Sequence, residues 1–300
     1  MPLETQAVQI ETPSGKGAAD ENFPVGSWLL PATLRPHVAL FYAFARAIDD
    51  IADNPHLGPK EKVERLEGFA AAIRGQETTD PAYGKAHRLR ASLAETGVTP
   101  QHCLDLITAF KRDATTLRYR SWGELIRDYC MLSAAPVGRY LLDLHGEDRS
   151  GYPASDALCN ALQVINHLQD CRDDFRKLDR VYLPLDWLED AGESVAAIEA
   201  PRASIGLRRV IDQCLDGTEA LMAQARLLPR QLRHRRLAYE SGAIVALAFR
   251  LIAMLRRRDP IAERVELAKP SFLAVAAWGV FRTIVEGPQH SGSAPRATAE

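Results

Sequence analysis

Residues 163–184 read QVINHLQDCRDDFRKLDRVYLP. On a helix, Gln163, Asn166, Asp170, Asp174 and Lys177 recur at steps of three or four and share one face. Ala161, Val164, Leu168, Cys171 and Phe175 form an apolar stripe beside them. An apolar stripe next to a carboxylate stripe predicts a helix that packs on one side and lines a cavity on the other. A second such stretch, residues 34–55, reads LRPHVALFYAFARAIDDIADNP. Leu34, Val38, Phe41, Ala45, Ile48 and Ala52 step along it at helical spacing, with Tyr42, Arg46, Asp49, Asp50 and Asp53 alongside. Asp49 and Asp53 stand one turn apart, as do Asp170 and Asp174. Like charges so placed cost about 0.2–0.5 kcal/mol per pair. One acidic helix face is ordinarily just solvated. Two, each set among Arg, Tyr, Asn and Gln beside an apolar stripe, ask for a compensating cation.

The 300 residues are 46% hydrophobic, enough to bury a sizeable core. A net charge of −2 offers no electrostatic case for a nucleic-acid partner. The five cysteines are scattered with no C-x-x-C, which argues against a zinc site or a disulfide framework and fits a reducing cytoplasm. The first 23 residues are polar and mixed in charge, without the apolar core of a secretory signal. No run approaches the ~20 apolar residues that span a bilayer. Residues 271–285, SFLAVAAWGVFRTIV, are short and broken by Arg282, and read as a buried or interfacial helix. The expected location is cytoplasmic, with a peripheral contact to the inner membrane.

Residues 1–20 and 286–300 are expected to be disordered, leaving 21–285 as one domain. Between them, proline and glycine fall every 15–30 residues. Pro55, Gly58 and Pro59 end the first acidic helix, Pro136 and Gly138 interrupt the segment 122–144, and Gly217 is among the later breakers. The intervening segments are rich in Ala, Leu, Arg and Glu and lack β-strand alternation, which predicts about eight to ten helices. The expected fold is all-α, a single helical bundle around a central cavity.

Paired carboxylates on two helices make a hard-oxygen site suited to Mg2+ bridging carboxylates to phosphates. A di-iron bundle would use Glu-x-x-His pairs, and no Glu here has a His three residues on. H-E-x-x-H and the Walker loop are absent, and the one Gly-x-Gly, at 15–17, follows no strand. What remains is a metal at the mouth of an apolar cavity. That suits a diphosphate with a long apolar body, ionised by the metal and protected by a dry pocket.

The pair Asp49-Asp50-x-x-Asp53 and Asn166-x-x-x-Asp170-x-x-Asp173-Asp174, followed by Arg180-x-Tyr182-x-Pro184, resembles the squalene/phytoene synthase family. Tyr129-Cys130 with Ala135-Pro136-Val137-Gly138 resembles its central tyrosine segment. Glu21-Asn22-Phe23-Pro24 with Ser27 resembles its entry motif. The likeness runs from about residue 20 to 285 and implies an isoprenoid-synthase fold. Within the family, NHLQDCRDD and ENFPVGSWLLP resemble the bacterial hydroxysqualene synthases of hopanoid biosynthesis. That branch converts presqualene diphosphate and water to hydroxysqualene, beside a presqualene diphosphate synthase and a flavin-dependent reductase. One residue departs from the family: where most members have N-x-x-R-D, this chain has Gln169 before Asp170, losing a basic contact.

By spacing and by resemblance, Asp49, Asp53, Asp170 and Asp174 are the candidate Mg2+ ligands. Asp50 and Asp173 point about 100° away from their neighbours. Arg46 is placed to contact diphosphate oxygens or to bridge the acids, and Lys177 and Arg180 to cover the diphosphate. The resemblance adds Arg264 and Lys269 as late basic groups, and Phe23 and Ser27 as cavity residues. Tyr42 and Tyr129 would stabilise a cation by their ring faces or simply pack. Gln163 and Asn166 would hold the water that ends the reaction, or only bond the carboxylates; His167 reads as structural. Three functions stay open: hydroxysqualene formation from presqualene diphosphate, head-to-head condensation of two prenyl diphosphates such as farnesyl diphosphate, and a lipid carrier with a relic site.

Overall fold

The structure, a computed structural model, describes residues 29–287. The 1–20 segment, Phe23, Ser27 and the rest of the entry motif lie outside the described residues.

The described chain is helical, with one isolated bridge between Arg118 and Val181 in place of any sheet. The first half carries α1 (Arg35–Asp53), α2 (Pro59–Arg74), α3 (Gly84–Thr96) and α4 (Gln101–Asp113). A broken segment follows: α5 (Trp122–Glu124), a π-helical turn (Leu125–Cys130) and α6 (Met131–Ser133). Then come α7 (Ala135–Leu144), α8 (Tyr152–Gln169) and α9 (Cys171–Leu178). The second half holds α10 (Leu185–Asp190), α11 (Ile205–Ala225), α12 (Leu228–Gln231), α13 (Arg235–Leu255) and α14 (Lys269–Glu286). Glu286, placed at the start of the tail on sequence, closes α14 and pairs with Arg282 and Arg230.

One apolar core runs through these helices. In α1 the predicted stripe turns inward: Val38, Phe41, Ile48 and Ala52 are buried. In α8, Ala161, Val164 and Leu168 do the same. Three expectations are corrected. The 163–184 segment is not one helix, because Asp170 (φ −100°, ψ 6°) breaks it between α8 and α9. Gly217 is no breaker: it lies inside α11, where a Cβ would stand 2.5 Å from the ring of Trp122. Gly138 likewise lies inside α7. Helix α13 is long and apolar enough to cross a membrane by length and composition, but 61% of that stretch is buried within the protein. Periodicity and length cannot separate a fully buried core helix from a spanning one.

Helix α14 packs on α13 through small residues and leaves its other face bare. Leu273, Trp278, Phe281, Ile284 and Val285 are all exposed. The α13–α14 contact is close at Gly279. A Cβ there would collide with the carbonyl oxygen of Gly242 and stand 2.8 Å from Cα of Ala243. Backbone atoms cannot step aside as a flexible side chain can. Gly279→Val is therefore expected to cost about 1–3 kcal/mol by overpacking. Urea unfolding of the variant checks this, and an unchanged midpoint would refute the close contact.

Candidate functional site

A cavity of about 380 Å3 opens between α1, α7, α8 and α13. Its walls are mostly aliphatic and aromatic, with Phe41, Phe110, Leu158, Leu162 and Ile244 among them. Five sequence candidates reach it: Tyr42, Arg46, Asp49, Tyr129 and Gln163. A second, more polar space of about 610 Å3 collects Asp53, Lys62, Asp113, Lys177 and Arg180. Asp113, which opens on this space, is tied to the first cavity by Tyr129.

Arg46 bridges the first acidic motif, with Nη1 donating to Asp49 at 2.7 Å and Nη2 to Asp50 at 3.1 Å. Asp50 is buried and turned to this guanidinium. Burial and the nearby Asp53 raise the Asp49 carboxyl well above the usual range, against the pull of Arg46. A carboxyl in that position gains from any additional cation.

Asp53 pairs instead with Arg180, which comes from the far motif. Arg180 Nη1 donates to Asp53 at 2.6 Å, Nη2 to the carbonyl of Ala52 at 3.0 Å, and Nε to that of Asp113 at 3.3 Å. The sharp turn that aims it is made by Asp179, whose φ of 53° is left-handed, a conformation Asp tolerates better than most residues. Arg118 grips that turn through the carboxylate and carbonyl of Asp179.

Asp113 was missed on sequence. It ends α4, is buried, and accepts from Tyr129 at 2.7 Å and Tyr182 at 3.1 Å. Burial lifts its carboxyl to about 6 while Arg180 and the tyrosine hydroxyls pull it down. Tyr129 sits in the π-helical turn, an irregularity common at functional sites. Burial, and then the neighbouring Asp113, push its phenol up, so it stays a donor. His167 stacks on Tyr182 with ring centroids 3.6 Å apart. Burial, then Arg180, lowers His167 to about 3 and keeps the ring neutral. Its Nε2 lies 3.2 Å from the amide nitrogen of Gln163. Since that amide nitrogen only donates, His167 Nε2 accepts, and the Gln163 carbonyl oxygen is left to the cavity.

The remaining candidates are placed differently. Asn166, Asp170 and Asp174 continue the Gln163 face toward α9 but are not among the residues lining either space. Lys177 is exposed and donates to Asp173 at 2.9 Å. Arg264 is exposed in the α13–α14 connection, paired with Glu266 at 3.2 Å, away from both spaces. It reaches the acidic motif only as a field: Lys177 first, and Arg264 among others, hold the Asp173 carboxyl low. Lys269 begins α14 and is exposed. Gln169 turns away from the cavity and donates to the carbonyl of Val265 at 2.5 Å.

A family model described as Squalene/phytoene synthase matches residues 17–271. The chain belongs to that family. It is 44% identical over 293 residues to the hydroxysqualene synthase of Rhodopseudomonas palustris, covering 96% of this chain and 98% of the relative. It is 42% identical to the hydroxysqualene synthase of Sinorhizobium fredii over 83% of this chain and 84% of the relative. Among solved structures, the squalene synthase HpnC from Alicyclobacillus acidocaldarius superposes with a TM-score of 0.68 at 35% identity, over 80% of this chain and 90% of that one. The expected all-α isoprenoid-synthase fold is the one the family carries.

Asp113 generates a test with a defined sign. Its carboxyl is raised in the fold above the unfolded value of about 4. Its contribution to stability is therefore present below that value and lost as pH rises through about 6. Activity runs the other way, because the tyrosines and Arg180 need an ionised partner. The kcat/KM profile should fall below about pH 6, and Asp113→Asn should be slow with that limb gone. Between about pH 4 and 7, stability of the wild type relative to Asp113→Asn should decline.

Proposed function

We propose that this protein is a Mg2+-dependent hydroxysqualene synthase. It converts presqualene diphosphate and water to hydroxysqualene and releases diphosphate. The observation that carries this is an apolar cavity whose rim holds the Arg46–Asp49 pair, in a chain over 40% identical to hydroxysqualene synthases across most of its length. Presqualene diphosphate would be supplied by a head-to-head prenyl diphosphate synthase, and the alcohol consumed by a flavin-dependent reductase.

Among the described residues no three His, Cys, Asp or Glu side chains gather into a ready-made metal cage. Magnesium does not need one, because it keeps waters and shares one or two carboxylates with substrate phosphates. Asp49 and Asp53, with Asp170 and Asp174 from the second motif, are the oxygens proposed to hold it. Bound there, Mg2+ would neutralise the charge of the departing diphosphate.

The chain's own residues do the rest. Arg46 offers two donors to diphosphate oxygens. Aromatic faces at Phe41, Tyr42 and Tyr129 stabilise the cation left behind, and the apolar walls exclude bulk water. Gln163, anchored through its amide nitrogen by neutral His167, offers its carbonyl oxygen to one water. Asn166, one turn on, supports it. Phe23 and Ser27 are proposed to complete the cavity from the N-terminal side, and Lys177, Arg180 and Arg264 to set the positive field around the diphosphate.

Purified protein given presqualene diphosphate and Mg2+ without NADPH should yield hydroxysqualene carrying oxygen from labelled water. Squalene or presqualene diphosphate made from farnesyl diphosphate would transfer the protein to the condensing branch. EDTA should abolish turnover and Mg2+ restore it, whereas a lipid carrier would bind without releasing diphosphate. Asp49→Asn should lose about 100-fold in rate, about 2.7 kcal/mol of barrier, with its circular dichroism unchanged.

Substrate and product are lipids, so we place the protein in the cytoplasm, peripheral to the inner membrane through α14. Trp278 and Phe281 stack at 5.7 Å on its exposed face, and Arg226, Arg250 and Arg282 flank it. Tryptophan with basic neighbours suits an anionic lipid surface. The protein should float with phosphatidylglycerol vesicles at low salt and be released by high salt or by Trp278→Ser. Extraction by detergent alone would contradict this.

A further inference from the structure

The cavity-facing side of α13 is Leu237, Glu240, Ser241 and Ile244, at helical spacing i, i+3, i+4 and i+7. Glu240 stands with Ser241 between the aliphatic Leu237 and Ile244 and is only 3% exposed. A carboxyl in such a wall is costly to bury. It comes from a different helix than Arg46 and Asp49, which stand on α1. The cavity therefore has acidic groups on two walls, and the proposed diphosphate site accounts for one.

We propose that Glu240 is the catalytic base of water capture. The inference rests on the hydroxysqualene reading. When the water oxygen forms its bond to the cationic carbon, one O–H bond must break. The proton passes to a Glu240 carboxylate oxygen, and the product is the neutral alcohol. Charge balances: a carbocation, a water and a carboxylate become an alcohol and a carboxylic acid. Gln163 orients the water from α8 while Glu240 takes its proton from α13. Helices α8 and α13 pack directly against each other, so their side chains share this cavity. In the absence of the base, the cation loses a proton to the departing diphosphate instead, giving hydrocarbon.

The test is product partition in the full-length protein, with presqualene diphosphate, Mg2+ and 18O-labelled water. Glu240→Gln keeps size and hydrogen bonding but cannot accept the proton. It should release diphosphate within about threefold of the wild-type rate, while the ratio of alcohol to hydrocarbon falls at least about tenfold. Glu240→Asp withdraws the carboxylate by one methylene and should lower the ratio about threefold, which carries the test if the Gln variant does not fold. Ser241→Ala, on the same face but with no proton to accept, should leave the ratio unchanged. A merely structural Glu240 would lower total turnover and stability without moving the ratio. A ratio within about twofold of wild type in Glu240→Gln, or in Glu240→Asp should the Gln variant not fold, overturns the proposal. If the wild-type product itself takes up no label, the hydroxysqualene reading fails first, and the two failures are thereby told apart.

Discussion

The guanidinium of Arg180 is the contact on which the site's geometry depends. It is 6% exposed, and burial works against its charge. Asp113 and Asp53 outweigh that cost and hold it as a cation. A buried charge left without its partners is strongly destabilising. So the end of α1, the end of α4 and the turn after α9 must arrive together. Arg180 and Asp53 are 127 residues apart, and their 2.6 Å pair ties one acidic motif to the segment that follows the other. The hydrogen bond from the Val181 N–H to the Leu117 carbonyl and the Arg118–Asp179 grip hold the same turn. Parallel restraints on one short segment leave little freedom in where Arg180 points.

From Asp113 the order passes inward by a different route. Tyr129 and Tyr182 both donate to its carboxyl, their rings lie 5.2 Å apart, and Tyr182 carries His167 on its face. His167 in turn receives the amide of Gln163 at the cavity wall. A charged cluster bordering the polar space is thus connected to the side chain proposed to hold water. Asp113, Tyr129, Tyr182 and His167 are all buried, and a buried, hydrogen-bonded set positions a reactive site within tolerances a loop cannot reach.

Much of this was legible in the chain. The α1 stripe is buried in the predicted register, and Tyr42, Arg46, Asp49 and Gln163, read from their spacing, reach one cavity with Tyr129, which the resemblance supplied. Periodicity is a local property, and the four read from it sit on the regular helices α1 and α8, whereas Tyr129 sits in a π-helical turn. Asp113 was not legible, because it is a lone acid beside Lys111 and Arg112 whose partners lie 16, 67 and 69 residues away. The break at Asp170 was hidden for a similar reason. No proline or glycine marks it, and the following helix resumes with Asp174 N–H donating to the Asp170 carbonyl. Gly217 misled in the opposite sense: glycine in a helix can mark close approach of a ring as well as an end.

Gln169 gathers these threads. In the family pattern an arginine precedes the first Asp of the second motif, and its replacement looked like a lost diphosphate contact. Gln169, the last residue of α8, faces away from the cavity and is buried against the α13–α14 connection. Its amide satisfies the carbonyl of Val265, itself fully buried. An unsatisfied buried carbonyl costs about 1–3 kcal/mol, so the residue holds a stretch of backbone. A charged arginine in that place would need a counter-charge, and the Val265 carbonyl carries none. The substitution therefore exchanges a charge for a structural anchor, while positive groups come from Arg46 at the cavity rim and Arg180 beside the second, polar space.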